Sequence, residues 1–314
     1  MKISVVIPVY QGGRSIGRLA DELVRNLRGK EGLEIVLVND GSTDNSHEEC
    51  LAAFRKHAGI VKYTRLAKNF GEHNAVLAGL NESSGDYAVI IDDDFQNPPE
   101  EIRKMFDKAV EGGYDVVYSY YDRKRHSFFR NLGSSFNDLV ACYLLDKPKD
   151  LYLSSFKCVN RFTINEIVKY KGPYPYIDGL VLRSTRNIGK VIVKHDKRKE
   201  GRSGYTLRKL MRLWLNMFVN FSVYPLRVST FIGFVFFLIG AALSIQAIIE
   251  RLINPSIPIG ITSIFVAILM FSGLQLLMLG VIGEYIGKQF MANNQTPQYV
   301  IRETYTGKKE EGGR

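Results

Sequence analysis

Short apolar runs alternate with amphipathic segments through the first third of the chain. The apolar runs are rich in β-branched residues and lie at Lys2 to Val9, Leu33 to Asn39, Tyr87 to Ile91 and Asp115 to Tyr118, with a further one at Lys190 to Val193. Between them, apolar residues recur at helical spacing in Ser15 to Leu27, Ser46 to His57, His73 to Ser83 and Pro99 to Glu111. This alternation predicts βαβ units, and therefore an α/β, Rossmann-like fold whose mixed, mostly parallel sheet is covered by helices on both faces.

Two much longer apolar segments follow, at Val228 to Ile249 and Ile257 to Ile282. Each is at least as long as the roughly 20 residues that a helix needs to cross the hydrocarbon core of a bilayer. The alternative is a pair of helices buried in a soluble core, but neither segment has the polar face that such helices usually show. The pattern therefore predicts a two-helix transmembrane hairpin.

The segment from Tyr205 to Tyr224 joins these two regions. Its apolar residues, including Trp214, fall near one helical face, and Arg208, Lys209 and Arg212 fall toward the other. This pattern favours a helix that lies in the membrane interface, with a core helix of the soluble domain as the alternative. We therefore expect a soluble domain at 1–204, an interfacial helix at 205–227, two transmembrane helices at 228–290 and a polar, frayed tail at 291–314.

The charge distribution refines this picture. The net charge of +10 suits either nucleic acid or an anionic membrane surface, and the apolar segments favour the membrane, so no nucleic-acid partner is expected. Lys and Arg are dense before the first apolar segment and recur after the second, whereas the turn at Asn254 to Ser256 has only Arg251 nearby. The positive-inside bias then predicts that both termini lie in the cytoplasm, and we expect the protein to be located in the inner membrane. No signal peptide is expected, and three cysteines without metal-ligand spacing fit a reducing compartment.

The residues that follow the predicted strands are candidates for binding, because parallel sheets bind ligands beyond the carboxyl ends of their strands. These positions are Pro8 to Gln11, Asp40 to Asp44 and Asp92 to Asp94. A nicotinamide site is excluded, since Gly12, Gly13 and Gly17 do not form a G-x-G-x-x-G turn. Asp40 has a structural alternative as an Asx-turn or helix N-cap residue.

Three consecutive acids, Asp92 to Asp94, end the third apolar run. Adjacent carboxylates repel one another, and a divalent cation removes that conflict. On an extended segment, Asp92, Asp94 and Gln96 share one side and offer the oxygen ligands that Mg²⁺ or Mn²⁺ prefers. The stretch therefore predicts a metal bridge to a diphosphate, with a solvated acidic surface as the alternative.

Several motifs together resemble the family 2 glycosyltransferases of GT-A fold, and within them the polyprenyl-phosphate glycosyltransferases. They are Ile7 to Tyr10, Asn39 to Ser46, Lys68 to Gly71, Asp92 to Glu100, and Val281 to Gly287 near the end of the second apolar segment. The resemblance covers nearly the whole chain. It implies a membrane-bound, inverting enzyme that moves a sugar from a nucleotide, expected to be UDP, onto undecaprenyl phosphate or a similar lipid, and that forms homo-oligomers.

The resemblance also implies roles for individual residues. Pro8, Tyr10, Asp40, Asp92 and Asp93 would bind the nucleotide sugar, and Asp92, Asp94 and Gln96 the metal. The acceptor phosphate would meet Arg123, Arg130, Ser134, Arg198, Arg202 and Ser203, of which Arg130, Ser134 and Arg202 would act in catalysis with Asp92 and Asp94. Arg130 and Arg202 have an alternative as surface or headgroup-binding arginines. Asp150 aligns loosely with a family acid.

The chain departs from the family at several of these positions. Gly12 and Gly13 stand where relatives usually carry Glu, and Ser155 and Lys157 replace Gly and Arg. Two other functions remain open. A processive polysaccharide synthase would carry a Q-x-x-R-W element, which is absent around the sole tryptophan, Trp214. A noncatalytic membrane scaffold would bind the nucleotide sugar without turnover.

Overall fold

The computed structural model describes residues 1–27, 29, 32–120, 147–148, 151–194, 224–254 and 260–307. The chain forms two compact units. The first comprises Met1–Thr206 together with Gln295–Arg314, and the second comprises Leu207–Asn294. The C-terminal segment therefore belongs to the same unit as the N-terminal domain.

The first unit is an α/β structure. Its strands are Lys2–Val9 (β1), Gly32–Asn39 (β2), Val61–Leu66 (β3), Tyr87–Ile90 (β4), Val116–Tyr120 (β5), Lys157–Asn160 (β6), Ile188–Ile192 (β7) and Ile301–Tyr305 (β8). Its helices are Ile16–Leu27 (α1), Ser46–Lys56 (α2), Glu72–Glu82 (α3), Glu100–Glu111 (α4), Arg161–Val168 (α5) and Ile177–Ser184 (α6). Every strand and helix predicted in the first 120 residues is present, with ends that differ by one or two residues.

All eight strands form one mixed sheet in the order β7-β5-β6-β4-β1-β2-β3-β8. Strands β4, β1, β2 and β3 run parallel, so that their carboxyl ends meet at one edge of the sheet. Strand β6 is antiparallel to both β4 and β5, and β8 is antiparallel to β3. The predicted α/β fold with a mostly parallel sheet is confirmed.

Helices cover both faces of the sheet, which explains why its central strands are mostly apolar. On one face, Val5, Ile7 and Val9 of β1 pack in a buried cluster with α1, α2 and α4. On the other face, α3 lies so close to β1 that a Cβ atom at Gly79 would stand 2.4 Å from Cγ1 of Val6. Glycine at this position allows the helix to approach the strand.

The C-terminal segment differs from the expectation of a frayed tail, which was wrong for Ile301–Tyr305. Strand β8 pairs with β3 along the edge of the sheet, and the ring of Tyr305 stacks on that of Tyr63 with centroids 5.5 Å apart. Just before β8, the side-chain amide of Gln298 donates to the carbonyl oxygens of Tyr170 at 3.1 Å and Gly172 at 2.7 Å. Packing against β3 therefore orders a sequence that looks polar on its own.

The second unit contains two long helices, Tyr224–Ile253 (α7) and Ile261–Asn293 (α8). Many large apolar side chains are exposed along them, among them Phe231, Leu238, Leu276 and Phe290. When only the described residues are considered, no helix is long and apolar enough to cross a membrane. The transmembrane hairpin is therefore unconfirmed, and the interfacial helix lies outside the described residues up to residue 223.

Candidate active site

The loops that follow β1 and β2 are joined by hydrogen bonds at the carboxyl edge of the sheet. The backbone N–H of Gln11 donates to Oγ of Ser42 at 3.1 Å, and that of Gly12 donates to Oγ of Ser46 at 3.0 Å. The N–H of Gly13 donates to Oδ2 of Asp44 at 3.1 Å. The parallel pairing of β1 with β2, in which Val9 lies opposite Asn39, brings these loops together. The result is a rigid rim of polar groups. Pro8 and the exposed ring of Tyr10 lie at this same edge.

Asp40 connects the β2 loop to the segment before α3. Its two carboxylate oxygens accept backbone N–H groups from Phe70 at 2.7 Å and from Gly71 at 2.9 Å. Burial raises the pKa of Asp40, and these two donors oppose the rise. The side chain is thus neither an Asx-turn within its own loop nor a cap on α2. It holds two loops of the candidate site in place, and its contact with a nucleotide stays a prediction.

The acidic triplet follows β4 at the same edge. Oδ2 of Asp92 accepts a hydrogen bond of 2.7 Å from the hydroxyl of Ser155. Desolvation, with Glu72 and Asp94 adding to it, raises the pKa of Asp92 to about 6, whereas the Ser155 hydroxyl and Lys157 act in the opposite direction. The site thus carries more negative charge than it can stabilise by itself, which is the environment that attracts a cation.

The triplet is a turn rather than an extended segment. Asp93 and Asp94 lie in the turn, Phe95 has a positive φ of 58°, and Oδ1 of Asp94 accepts the N–H of Gln96 at 3.0 Å. The expectation that Asp92, Asp94 and Gln96 share one side of an extended strand was therefore wrong. At this turn the ring of Phe95 is buried in the core.

Asp93 points back toward the first loop. A Cβ atom at Gly12 would stand only 2.0 Å from Oδ2 of Asp93. Any side chain at position 12 therefore competes with this carboxylate for the same space. The carboxylate next to position 12 is therefore that of Asp93 in the β4 loop, because Gly12 in the β1 loop has no side chain.

The residues present fit a divalent metal. Two carboxylates, Asp92 and the buried Asp94, lie two residues apart in sequence, and the charge of Asp94 adds to the rise in the pKa of Asp92. Among the described residues, no group of three or more His, Cys, Asp or Glu side chains is placed to hold a metal ion. A site with two carboxylates suits Mg²⁺ or Mn²⁺, which takes its other ligands from water and substrate phosphates.

Sequence reasoning noted Ser155 and Lys157 only as departures from the family and predicted no role for them in the site. Ser155 precedes β6, and Lys157 begins that strand with only 3% of its surface exposed. The Nζ of Lys157 pairs with Oδ1 of Asp178 at the start of α6, and the hydroxyl of Tyr118 donates to the same oxygen at 2.8 Å. The sequence feature that could have indicated these contacts is Lys157 itself, a charged residue next to a short apolar run.

The acceptor-side candidates lie outside the described residues. They are Arg123, Arg130, Ser134, Arg198, Arg202 and Ser203, and their expected contact with the acceptor phosphate stays a prediction. Asp150, which aligns loosely with a family acid, also lies outside the described residues.

The first unit thus combines a mixed α/β sheet with polar and acidic loops at the carboxyl ends of its parallel strands. A profile of the glycosyl transferase family 2 matches residues 4–168, and the chain belongs to this family. It is a glycosyltransferase of GT-A-like fold.

Relatives that match nearly the whole chain allow a more specific comparison than the family does. The chain is 31% identical over 311 residues to an undecaprenyl-phosphate 4-deoxy-4-formamido-L-arabinose transferase of Proteus mirabilis, covering 98% of this chain and 95% of that protein. It is 32% identical to the protein of the same name from Serratia proteamaculans, covering 96% and 93%.

Among solved structures, glucosyl-3-phosphoglycerate synthase of Mycobacterium tuberculosis in complex with Mn²⁺, UDP-glucose and phosphoglyceric acid has a similar fold. The TM-score is 0.53 at 18% identity, over 70% of this chain and 79% of that one.

Proposed function

We propose that this glycosyltransferase moves a sugar from a nucleoside diphosphate, expected to be UDP, onto a polyprenyl phosphate, expected to be undecaprenyl phosphate. The product is a lipid-linked sugar for the cell envelope. One observation carries the proposal: over 98% of its length the chain is similar to transferases named for this lipid acceptor. The acidic turn at the carboxyl edge of the sheet supplies the matching donor chemistry.

The loops after β1, β2 and β4 bind the nucleotide-sugar donor in this proposal. Asp40 fixes the loop before α3, and the β1 and β2 loops form the polar rim against which a nucleoside packs. Asp92 and Asp94, with Gln96, would hold Mg²⁺ or Mn²⁺. Such a metal, when bound, neutralises the charge that develops on the leaving diphosphate.

The phosphate of the acceptor lipid needs little activation to act as a nucleophile. A phosphate monoester has a second pKa of about 6, so that it is mostly dianionic at neutral pH and already a nucleophile. In-line attack on the anomeric carbon breaks the bond to the diphosphate and inverts the configuration. Arg130 and Arg202 would counter the repulsion between the incoming phosphate and the leaving group, with Arg123, Ser134, Arg198 and Ser203 beside them.

A membrane location brings the two substrates together. A sugar nucleotide is soluble in water and a polyprenyl phosphate is not, so that they meet at the membrane surface. We propose that α7 and α8 form a hairpin in the inner membrane and that residues 205–227 lie in its interface. Both ends of the helical unit connect to the first unit, which supports an even number of crossings. Homo-oligomers remain an expectation from the family.

The test is transfer itself. Purified protein is incubated with labelled UDP-sugars, Mn²⁺ and undecaprenyl phosphate, and the lipid fraction is analysed for label. Label in the lipid from at least one donor is the expected result. Absence of lipid-linked sugar from every donor would overturn the proposal, and donor binding without turnover would favour a noncatalytic scaffold.

A further inference from the structure

Lys157 is a buried cation in the middle of the sheet. The strand register places it opposite Ile90 of β4 on one side and Tyr118 of β5 on the other. Its Nζ lies 5.3 Å from the centre of the Tyr118 ring. Lysine is almost never fully buried unless it is paired, because removing the ammonium from water costs several kcal/mol.

Asp178 supplies the pairing. Its Oδ1 accepts from Nζ of Lys157 and, at 2.8 Å, from the hydroxyl of Tyr118. The acid, the cation and the phenol form one hydrogen-bonded group, with Asp178 itself 7% exposed. A buried ion pair of this kind adds little stability over apolar residues of the same volume. Stability alone therefore does not account for it.

The same register leads from Lys157 to the acidic turn. Strands β4 and β6 are antiparallel, with Ile90 opposite Lys157. Two residues further along β4 is Asp92, and two residues back along β6 is Ser155, so that this pair also lies opposite. The hydrogen bond of 2.7 Å from Ser155 to Asp92 agrees with this pairing. Lys157 is thus two residues from Ser155, whose hydroxyl holds Asp92.

We propose that the Lys157–Asp178 pair is a positioning unit for Asp92. It fixes the start of β6 against β4 and β5, so that the Ser155 hydroxyl holds one oxygen of Asp92 in place. This inference rests on the proposed function and deepens it. Lys157 and Asp178 act through Asp92 and do not touch the substrate.

The test removes the pair without leaving a lone buried charge. Lys157→Met with Asp178→Asn keeps the side-chain volumes and an acceptor for the Tyr118 hydroxyl. Binding of Mn²⁺ with UDP is measured by calorimetry, beside thermal unfolding. We expect the double variant to fold and its dissociation constant to rise at least about tenfold, since one misplaced ligand weakens the whole site. Lys157→Arg, which keeps the cation, is expected to recover most of the affinity.

A matched control exists at the opposite end of the sheet. Nζ of Lys62 lies 2.8 Å from Oε1 of the buried Glu34, remote from the acidic turn. Lys62→Met with Glu34→Gln makes the same kind of change. A loss of fold stability without a loss of Mn²⁺ and UDP binding is expected there.

Ser155→Ala provides an independent measurement, because it removes only the hydroxyl. It is expected to weaken binding severalfold in the native protein and to add little to the double variant, since both changes act through one contact. Binding within about twofold of native in either the double variant or Ser155→Ala would overturn the inference while leaving the proposed function intact. Failure of the native protein to bind Mn²⁺ with UDP would overturn both.

Discussion

At the scale of single residues, the site depends on a position that has no side chain. Gly12 leaves room for the carboxylate of Asp93, and the two positions are interdependent. The N–H of Gly12 also donates to Ser46, so that the backbone cannot move away without losing this bond. The identity of residue 12 therefore determines where Asp93 points.

Gly12→Ala is expected to lower the free energy of unfolding by about 1–3 kcal/mol, the usual cost of forcing extra atoms into packed structure. Urea unfolding measures the effect. Adding Asp93→Ala removes the clash, so that the pair should be no less stable than Asp93→Ala alone. Gly29→Ala is the control, because no atom lies within 4 Å of its added Cβ. If the double variant lost the sum of the unfolding free energies that the two single variants lose, the proposed interdependence would be contradicted.

Glu34 gives the fold a pH dependence. Desolvation would raise the pKa of this carboxyl, but hydrogen bonds from Lys62, Ser4 and Ser84 outweigh it and lower the pKa from 4.5 to about 2. Because the folded pKa lies below the unfolded one, the stabilisation is complete above about pH 4.5 and disappears as the pH falls toward about 2. A shift of this size corresponds to roughly 3 kcal/mol.

Glu34→Gln should therefore be less stable than the native protein at neutral pH, and the difference should shrink as the pH falls from about 4.5 to about 2. The free energy of unfolding as a function of pH checks this. Glu166→Gln, at an exposed ion pair with Lys169, is the control and should follow the native curve. A constant difference between native and Glu34→Gln would contradict the assignment.

At the scale of elements, periodicity in the sequence predicts β1, β2, β4, β5 and β7 and misses β3, β6 and β8. Strands β1 and β2 are mostly apolar, and they were predictable because helices bury both their faces. Strand β6 is only four residues long and starts with Lys157. Strand β8 is polar and forms because β3 offers it an unpaired edge.

The same reasoning applies to the site. Asp40, Asp92 and Asp94 were found because each follows an apolar run. Ser155 and Lys157 were noted only as departures from the family, and Asp178 was not noted. Their contacts depend on the antiparallel register of β4 with β6, which no local pattern encodes.

Tyr305 anchors β8, so that Tyr305→Ala should detach the strand. Its ring contacts Tyr63 and Phe54 at centroid distances of 5.5 and 5.8 Å. The expected loss is about 1–3 kcal/mol, with faster hydrogen exchange of the β3 amides. Phe162→Ala, at a side chain that is 55% exposed, is the control. Unchanged exchange in β3 would contradict the anchoring role.

At the scale of the whole molecule, the chain leaves the first unit, forms the helical unit and returns to the same sheet. If the helices enter a membrane, this connectivity requires both ends of the helical unit to lie on one side. The turn between α7 and α8 must then lie on the other side.

Ser256→Cys tests this topology. In intact cells, a membrane-impermeant maleimide is expected to label a cysteine at this position, and to leave Lys104→Cys in the first unit unlabelled until the cells are lysed. The native Cys50 and Cys158 are buried, and Cys142, which lies outside the described residues, is replaced by Ser in both variants. Labelling of both positions only after lysis would contradict the proposed hairpin.

The central claim is that the acidic turn after β4 binds a divalent cation together with the donor diphosphate. The most direct measurement is anomalous scattering from Mn²⁺ in crystals soaked with Mn²⁺ and UDP. The account predicts a manganese peak within coordination distance of Asp92 or Asp94, bridged to the UDP phosphates, and no such peak in crystals of Asp94→Ala. A manganese ion and diphosphate bound elsewhere on the chain would contradict it.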